Sequence, residues 1–124
     1  MLDLPQNIEL ERPASRVAVV SFTGEHDFAA RDGARDLLSK LIAENGLVVT
    51  DFSRAEFIDS WILAVLRDTG RAADKHGVTF RVQLGTAPIV ALMFDASGVL
   101  NELECVSTRE EALRDAAAPS DPKG

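Results

Sequence analysis

A serine that opens an apolar helix is the residue in this sequence best placed for chemistry. In Phe57-Ile58-Asp59-Ser60-Trp61-Ile62-Leu63-Ala64-Val65-Leu66, the pair Asp59-Ser60 precedes a run with helical apolar spacing. The first N–H groups of a helix have no partner within it. A hydroxyl at that position serves as a cap, and the same free amides tolerate an added phosphate. Two further turns carry aspartates, Gly24-Glu25-His26-Asp27 and Phe94-Asp95-Ala96-Ser97-Gly98. Each also has a plain structural reading. Asp27 and Asp59 read as helix caps, and Asp95-Ala96-Ser97-Gly98 as a helix end. His26 reads as a solvated loop histidine able to make a pH-sensitive contact. Asp27, Asp59 and Asp95 could gather a Mg²⁺ ion if the fold brought them together. No phosphate-cradling loop accompanies them, which counts against a hydrolytic enzyme.

Other constellations are missing. The sequence has no G-x-S-x-G around Ser60, no Walker loop, no G-x-G-x-x-G and no His/Cys cluster at metal-ligand spacing. A binding module rather than an enzyme is expected, with no cofactor. The single cysteine, Cys105, excludes an internal disulfide, and its strand-like neighbours Glu104 and Val106 suggest a plain buried thiol. A net charge of −7 argues against a nucleic-acid partner, which requires clustered cations. Arg67, Arg71 and Lys75 share a helical face, but Asp68 and Asp74 interrupt them, as on a solvated surface. No apolar run approaches the roughly 20 residues that span a bilayer, and Met1-Leu2-Asp3-Leu4-Pro5 shows no export signal. A cytoplasmic location follows as the expectation.

The elements that must hold these turns are legible from apolar periodicity. At 124 residues the chain suffices for one domain with a real core. Ile8 to Leu10 reads as a short strand and Val17 to Thr23 as a stronger one. Phe28 to Asn45 is an amphipathic helix with Ala30, Ala34, Leu37, Leu38, Leu41 and Ile42 on one face. Leu47 to Asp51 is a central strand. A helix follows from Ser60 to about His76-Gly77, then a strand from Val78 to Leu84 and a short helix from Thr86-Ala87-Pro88 through Met93. Leu103 to Val106 is the last strand. Thr108-Arg109-Glu110-Glu111 has capping-box spacing and opens a final helix to about Ala117. The order β-β-α-β-α-β-α-β-α predicts an α/β fold, a mixed sheet of four or five strands with four helices. Residues 1–117 form a single domain in this reading, and 118–124 a disordered tail.

Taken together, the three turns resemble those of the STAS family, the fold of bacterial anti-sigma factor antagonists. The resemblance runs from about Ile8 to Ala117. It is carried by Gly24-Glu25-His26-Asp27, by Phe57-Ile58-Asp59-Ser60 and by Leu92-Met93-Phe94-Asp95-Ala96-Ser97-Gly98. It implies a STAS-like fold and a transcription-regulating, protein-binding role. Ser60 matches the serine that a partner anti-sigma factor, itself a serine kinase, phosphorylates. Asp27 matches an acidic partner-contacting position. Partner contacts are expected at Asp27, Asp59, Ser60, Trp61, Asp95 and Ser97, and weak homodimerisation is compatible with the pattern. Two residues depart from the family: Trp61 stands where a small hydroxyl residue is usual, and Ile62 where glycine is usual. On a helix of about 3.6 residues per turn, Trp61 lies roughly 140° from Leu66. It is therefore expected at the edge of the apolar stripe, partly in water, as an interface anchor. That favours the alternative role of a non-phosphorylated scaffold subunit, which docks an ATPase of a lipid-transport or stressosome assembly through the Asp59-Trp61 helix mouth.

Overall fold

In a computed structural model that describes residues 4–115, the apolar runs condense into five strands and five helices. The strands are β1 (Ile8–Ala14), β2 (Val17–Phe22), β3 (Leu47–Asp51), β4 (Thr79–Gln83) and β5 (Glu104–Val106). They lie side by side in chain order, β1 antiparallel to β2 and the other pairs parallel. Parallel strands need crossover connections, and these are right-handed. Because every step is to the next neighbour in one direction, all crossover helices fall on one face. These helices are α1 (Arg31–Glu44), α2 (Ser60–His76), and α3 (Pro88–Ser97) with α4 (Val99–Glu102).

The main core forms on that face. Ala18, Val20 and Phe22 of β2, Val48 of β3, and Phe80 and Val82 of β4 meet Leu38 and Leu41 of α1, Leu66 of α2 and Phe94 of α3. Alternate residues of the same strands point the other way. Val17, Val19, Leu47 and Val49 pack with Ala112 of α5 (Arg109–Ala112) in a second, smaller core. Leu47, Val48 and Val49 are all buried, as a central strand requires, and so are Leu63 and Leu66 on the apolar face of α2.

Two arginines fasten α5 to its face of the sheet. Buried Arg81 donates to the carbonyls of Ala112 (3.1 Å) and Arg114 (2.7 Å). Arg109 pairs with Asp51 (3.1 Å) and Glu11 (2.8 Å). The capping box at Thr108 is present: its side chain accepts the Glu111 N–H, and Glu111 reaches back to the Thr108 N–H. The backbone N–H groups of Ser107 and then Thr108, bonded to the Glu111 carboxylate, hold its pKa below the usual range.

Several boundaries differ from the sequence reading. The first strand runs to Ala14, because β2 pairs with it from Ile8 to Glu11 and, after an irregularity, again at Ala14. The first helix starts as a 3₁₀ turn, Phe28–Ala30, before α1 proper. Sequence reading placed a helix stop at Asp95-Ala96-Ser97-Gly98. α3 does end there, but a short fifth helix, α4, follows. Gly98 takes a left-handed φ of 85° that closes α3. Ser97 Oγ accepts the Val99 N–H, and fully buried Val99 pulls the next turn inward. α5 closes at Ala112, where Arg81 takes the carbonyl. The expected continuation to Ala117, beyond Asp115, and the tail 118–124 lie outside the described residues.

Cys105 is half-buried on β5. Burial, and secondarily the charge of Glu104, raises its thiol to about 11. Since the thiolate is the reactive form, alkylation should be slow at neutral pH. Its rate should climb about tenfold per pH unit until close to 11. A rate that levels off near the ordinary thiol range, about 8.5, would show that the side chain is solvated instead.

Candidate functional site

The turns that follow β2 and β3 are zippered together at the C-terminal end of the sheet. Gly24 N–H donates to Arg54 O (3.0 Å) and Glu56 N–H donates to Gly24 O (2.8 Å), a single parallel bridge that extends the β2–β3 ladder. Gly24 makes this turn at φ 62°, a conformation that costs glycine little. The link after β3 is pinned from a second side by Gly85, also left-handed at φ 74°. A Cβ there would lie 2.6 Å from Ser53 Cα. Asp51 completes the hold, its Oδ1 accepting the Ser53 N–H at 2.8 Å.

An aromatic column joins these turns to α3. His26 stands edge-on to Phe22 (5.3 Å between centroids), Phe22 stacks on Phe52 (4.8 Å), and Phe94 meets Phe52 edge-on (5.3 Å). The expectation of a solvated His26 is therefore corrected: the ring is buried. Its Nε2 lies 3.0 Å from Asn7 O, so Nε2–H is the donor. Asn7 returns a bond from its side-chain amide to Glu25 O (3.0 Å). The histidine thus tethers the Gly24–Asp27 turn to the N-terminal segment. Nothing in the sequence spacing of Phe22, Phe52 and Phe94 marks them as a shared support.

On this scaffold Ser60 is exposed as the first residue of α2. Asp59 precedes it in extended conformation, half-exposed, but its carboxylate makes no capping bond. Asp27 is exposed, and it too fails to cap the turn that follows. The sequence reading of both as caps is thus corrected: neither carboxylate is used by its own helix start, and Asp59 adjoins the exposed serine at the start of α2, where the helix dipole favours negative charge. Phe57, 42% exposed, lies two residues before Asp59.

Trp61 departs from expectation. It is only 7% exposed and belongs to the main core with Ile58, Ile62 and Leu66. The stripe it was expected to border is wide: Trp61, Ile62, Leu63, Val65, Leu66, Thr69, Gly70 and Ala73 are all buried on α2. Both departures from the family pattern, Trp61 and Ile62, therefore point inward and leave the surface around Ser60 unobstructed.

Asp95 and Ser97 lie on the turn that closes α3. Arg67 of α2 donates to Ser97 O and pairs with Glu102 (2.8 Å). Arg67 lies seven residues past Ser60, about 10 Å along the helix axis. The Asp95–Ser97 turn accordingly sits against the body of α2. Asp95 is exposed there, whereas Ser97 is half-buried and its hydroxyl donates to Phe94 O (2.9 Å). Among the described residues no group of three or more His, Cys, Asp or Glu is arranged to hold a metal, and no helix is long and apolar enough to cross a membrane.

Residues 7–112 match the family model described as the STAS domain. No curated protein sequence matches the chain. Solved structures do. The unphosphorylated form of the anti-sigma factor antagonist SpoIIAA aligns over 92% of this chain and 99% of its own, at 23% identity and a TM-score of 0.74. The phosphorylated form of SpoIIAA from Bacillus aligns over 88% and 98%, at 23% identity and 0.66. An anti-sigma factor antagonist from Mycobacterium paratuberculosis aligns over 86% and 90%, at 22% identity and 0.71. At these identities the likeness is one of fold.

Proposed function

The chain belongs to the STAS domain family, and on that footing we propose that it is a regulatory protein-binding module of the anti-sigma factor antagonist kind. Unphosphorylated, it docks on an anti-sigma factor that is also a serine kinase, and so frees a sigma factor for transcription. Phosphorylation of Ser60 by that partner ends the contact. The module catalyses nothing itself and works in a bacterial cytoplasm. A weak homodimer belongs to the same reading.

One observation carries this proposal. Ser60 is exposed at the start of α2 next to Asp59, and Asp27 is exposed on the neighbouring turn; among the described residues neither carboxylate caps a helix. A hydroxyl so placed is open to a kinase, and the unused carboxylates are available to cations on a docking partner. That a protein of the same fold is known in phosphorylated and unphosphorylated forms supports a modifiable serine. The second reading, a constitutive scaffold subunit docking an ATPase, drew on Trp61 as an exposed anchor. With the indole in the core it has lost that support.

Docking is tested by titrating a purified anti-sigma kinase with wild type and with Asp27→Ala. The exposed carboxylate contributes nothing visible to the fold, so the melting temperature should not move. Affinity should fall about tenfold, roughly 1.4 kcal/mol. Equal affinity would place the docking surface elsewhere.

A further inference from the structure

Between Phe22 and Ala34 the chain buries a single side chain, and it is the imidazole of His26. Glu25, Asp27, Phe28 and Ala29 are exposed around it. A cleft of about 380 Å³ opens between this stretch and the N-terminal segment, with Pro5, Asn7, Glu25, Asp27 and Ala30 among its walls. Apolar packing therefore does little to fix the turn, and His26 is its anchor. The polar side of that anchor converges on one residue. Asn7, left-handed at φ 65°, presents its carbonyl to Thr23 N–H (2.9 Å), to the Thr23 hydroxyl (3.3 Å) and to His26 Nε2–H (3.0 Å).

An apolar ring in this place would serve stability better. With the proton on Nε2, Nδ1 is an acceptor, and it is buried with no donor among the described residues. A buried polar atom left unpaired destabilises the fold. What imidazole adds over an apolar ring is direction. Contact with Phe22 sets the depth of the ring, and the bond to Asn7 O sets its rotation. The backbone of the next residue, Asp27, is then held in one orientation. Asp27 O in turn accepts the Ala30 N–H (2.9 Å), which carries the hold into the start of the first helix.

We propose that His26 is a positioning residue for docking: its Nε2–H bond to Asn7 O orients the turn so that Asp27 is presented to the partner. The proposal rests on the docking role given to Asp27 above. It accounts for a polar ring where an apolar one would pack without an unpaired atom.

Two substitutions separate the hydrogen bond from the packing. His26→Phe keeps a planar ring against Phe22 and removes the donor. Asn7 O still receives the Thr23 N–H, so no acceptor is orphaned. His26→Gln gives up the ring and keeps an amide donor at a similar reach. Affinity for a purified anti-sigma kinase should fall about five- to tenfold in His26→Phe, the worth of one hydrogen bond, and stay within about twofold of wild type in His26→Gln. His26→Phe should nonetheless melt no lower than wild type. Because the effect runs through Asp27, His26→Phe should change affinity by less than about twofold in an Asp27→Ala background. Amide exchange at Ala30 reads the same hold without a partner, and should be faster in His26→Phe and unchanged in His26→Gln. Unchanged Ala30 exchange in His26→Phe overturns the proposal, whether or not the kinase binds. So does the reverse order, a glutamine variant that docks poorly beside a phenylalanine variant that docks well, which makes His26 a packing residue. Additive effects of His26→Phe and Asp27→Ala overturn the route through Asp27. A wild type that fails to bind the kinase, with Ala30 exchange responding as expected, overturns instead the docking role of Asp27 and leaves His26 as a tether of the turn alone.

Discussion

Trp61→Ala is expected to cost about 3–5 kcal/mol of folding stability, the usual range for truncating a core aromatic. The indole is 7% exposed and packs in the main core with Ile58, Ile62 and Leu66 at the first turn of α2. Against a typical total of about 5–15 kcal/mol, such a loss leaves a marginal protein. Urea unfolding gives the number. Trp61→Phe is the informative companion. It keeps most of the apolar volume and removes the buried Nε1–H, which has no partner among the described residues. Leaving an N–H unsatisfied costs about 1–3 kcal/mol, so Trp61→Phe should be far milder than Trp61→Ala. A loss under about 1 kcal/mol for Trp61→Ala would mean that the side chain spends its time in solvent, as the helical wheel alone suggested.

Ser60→Asp is expected to separate binding from stability. Phosphate adds roughly −1.5 to −2 charge, and aspartate mimics part of it. In the free protein the charge sits in water at a helix start. There the dipole favours it by about 0.3–1 kcal/mol, while Asp59 next to it opposes. The two nearly cancel, so the melting temperature should hardly move. At a docked interface the same charge loses its water. An uncompensated buried charge costs about 3–5 kcal/mol. Affinity for the kinase partner should therefore drop more than tenfold, measured by calorimetric titration. Equal affinity for wild type and Ser60→Asp would remove Ser60 from the switch.

The contrast between these two neighbours shows what the sequence makes legible. A continuous apolar run placed β3, and a 3.6-residue period placed α2, because burial acts on whole faces. Ser60 stood out because one residue at a helix start answers to local rules. Trp61 was misplaced because its orientation depends on how wide a face the sheet covers, and width is a tertiary quantity. The same holds for His26. A lone histidine in a polar turn looks solvated until the turn folds over Phe22 and meets Asn7, 19 residues earlier. Asp27 and Asp59 have capping identities, yet neither side chain caps. Residue type permits a cap, and only the backbone path decides whether the oxygen reaches the amide. Ser97 and Asp95 were grouped with Ser60 through family resemblance. The Arg67 contact that sets them against the body of α2 joins residues 30 apart, and nothing local encodes it.

The most direct measurement of the central claim is the intact mass of the protein after incubation with its anti-sigma kinase and ATP, with the modified peptide then sequenced. A gain of one phosphate is expected, located on Ser60 and abolished in Ser60→Ala, while Ser97→Ala is modified as fully as wild type. An unchanged mass, or a phosphate mapped to any residue other than Ser60, would contradict it.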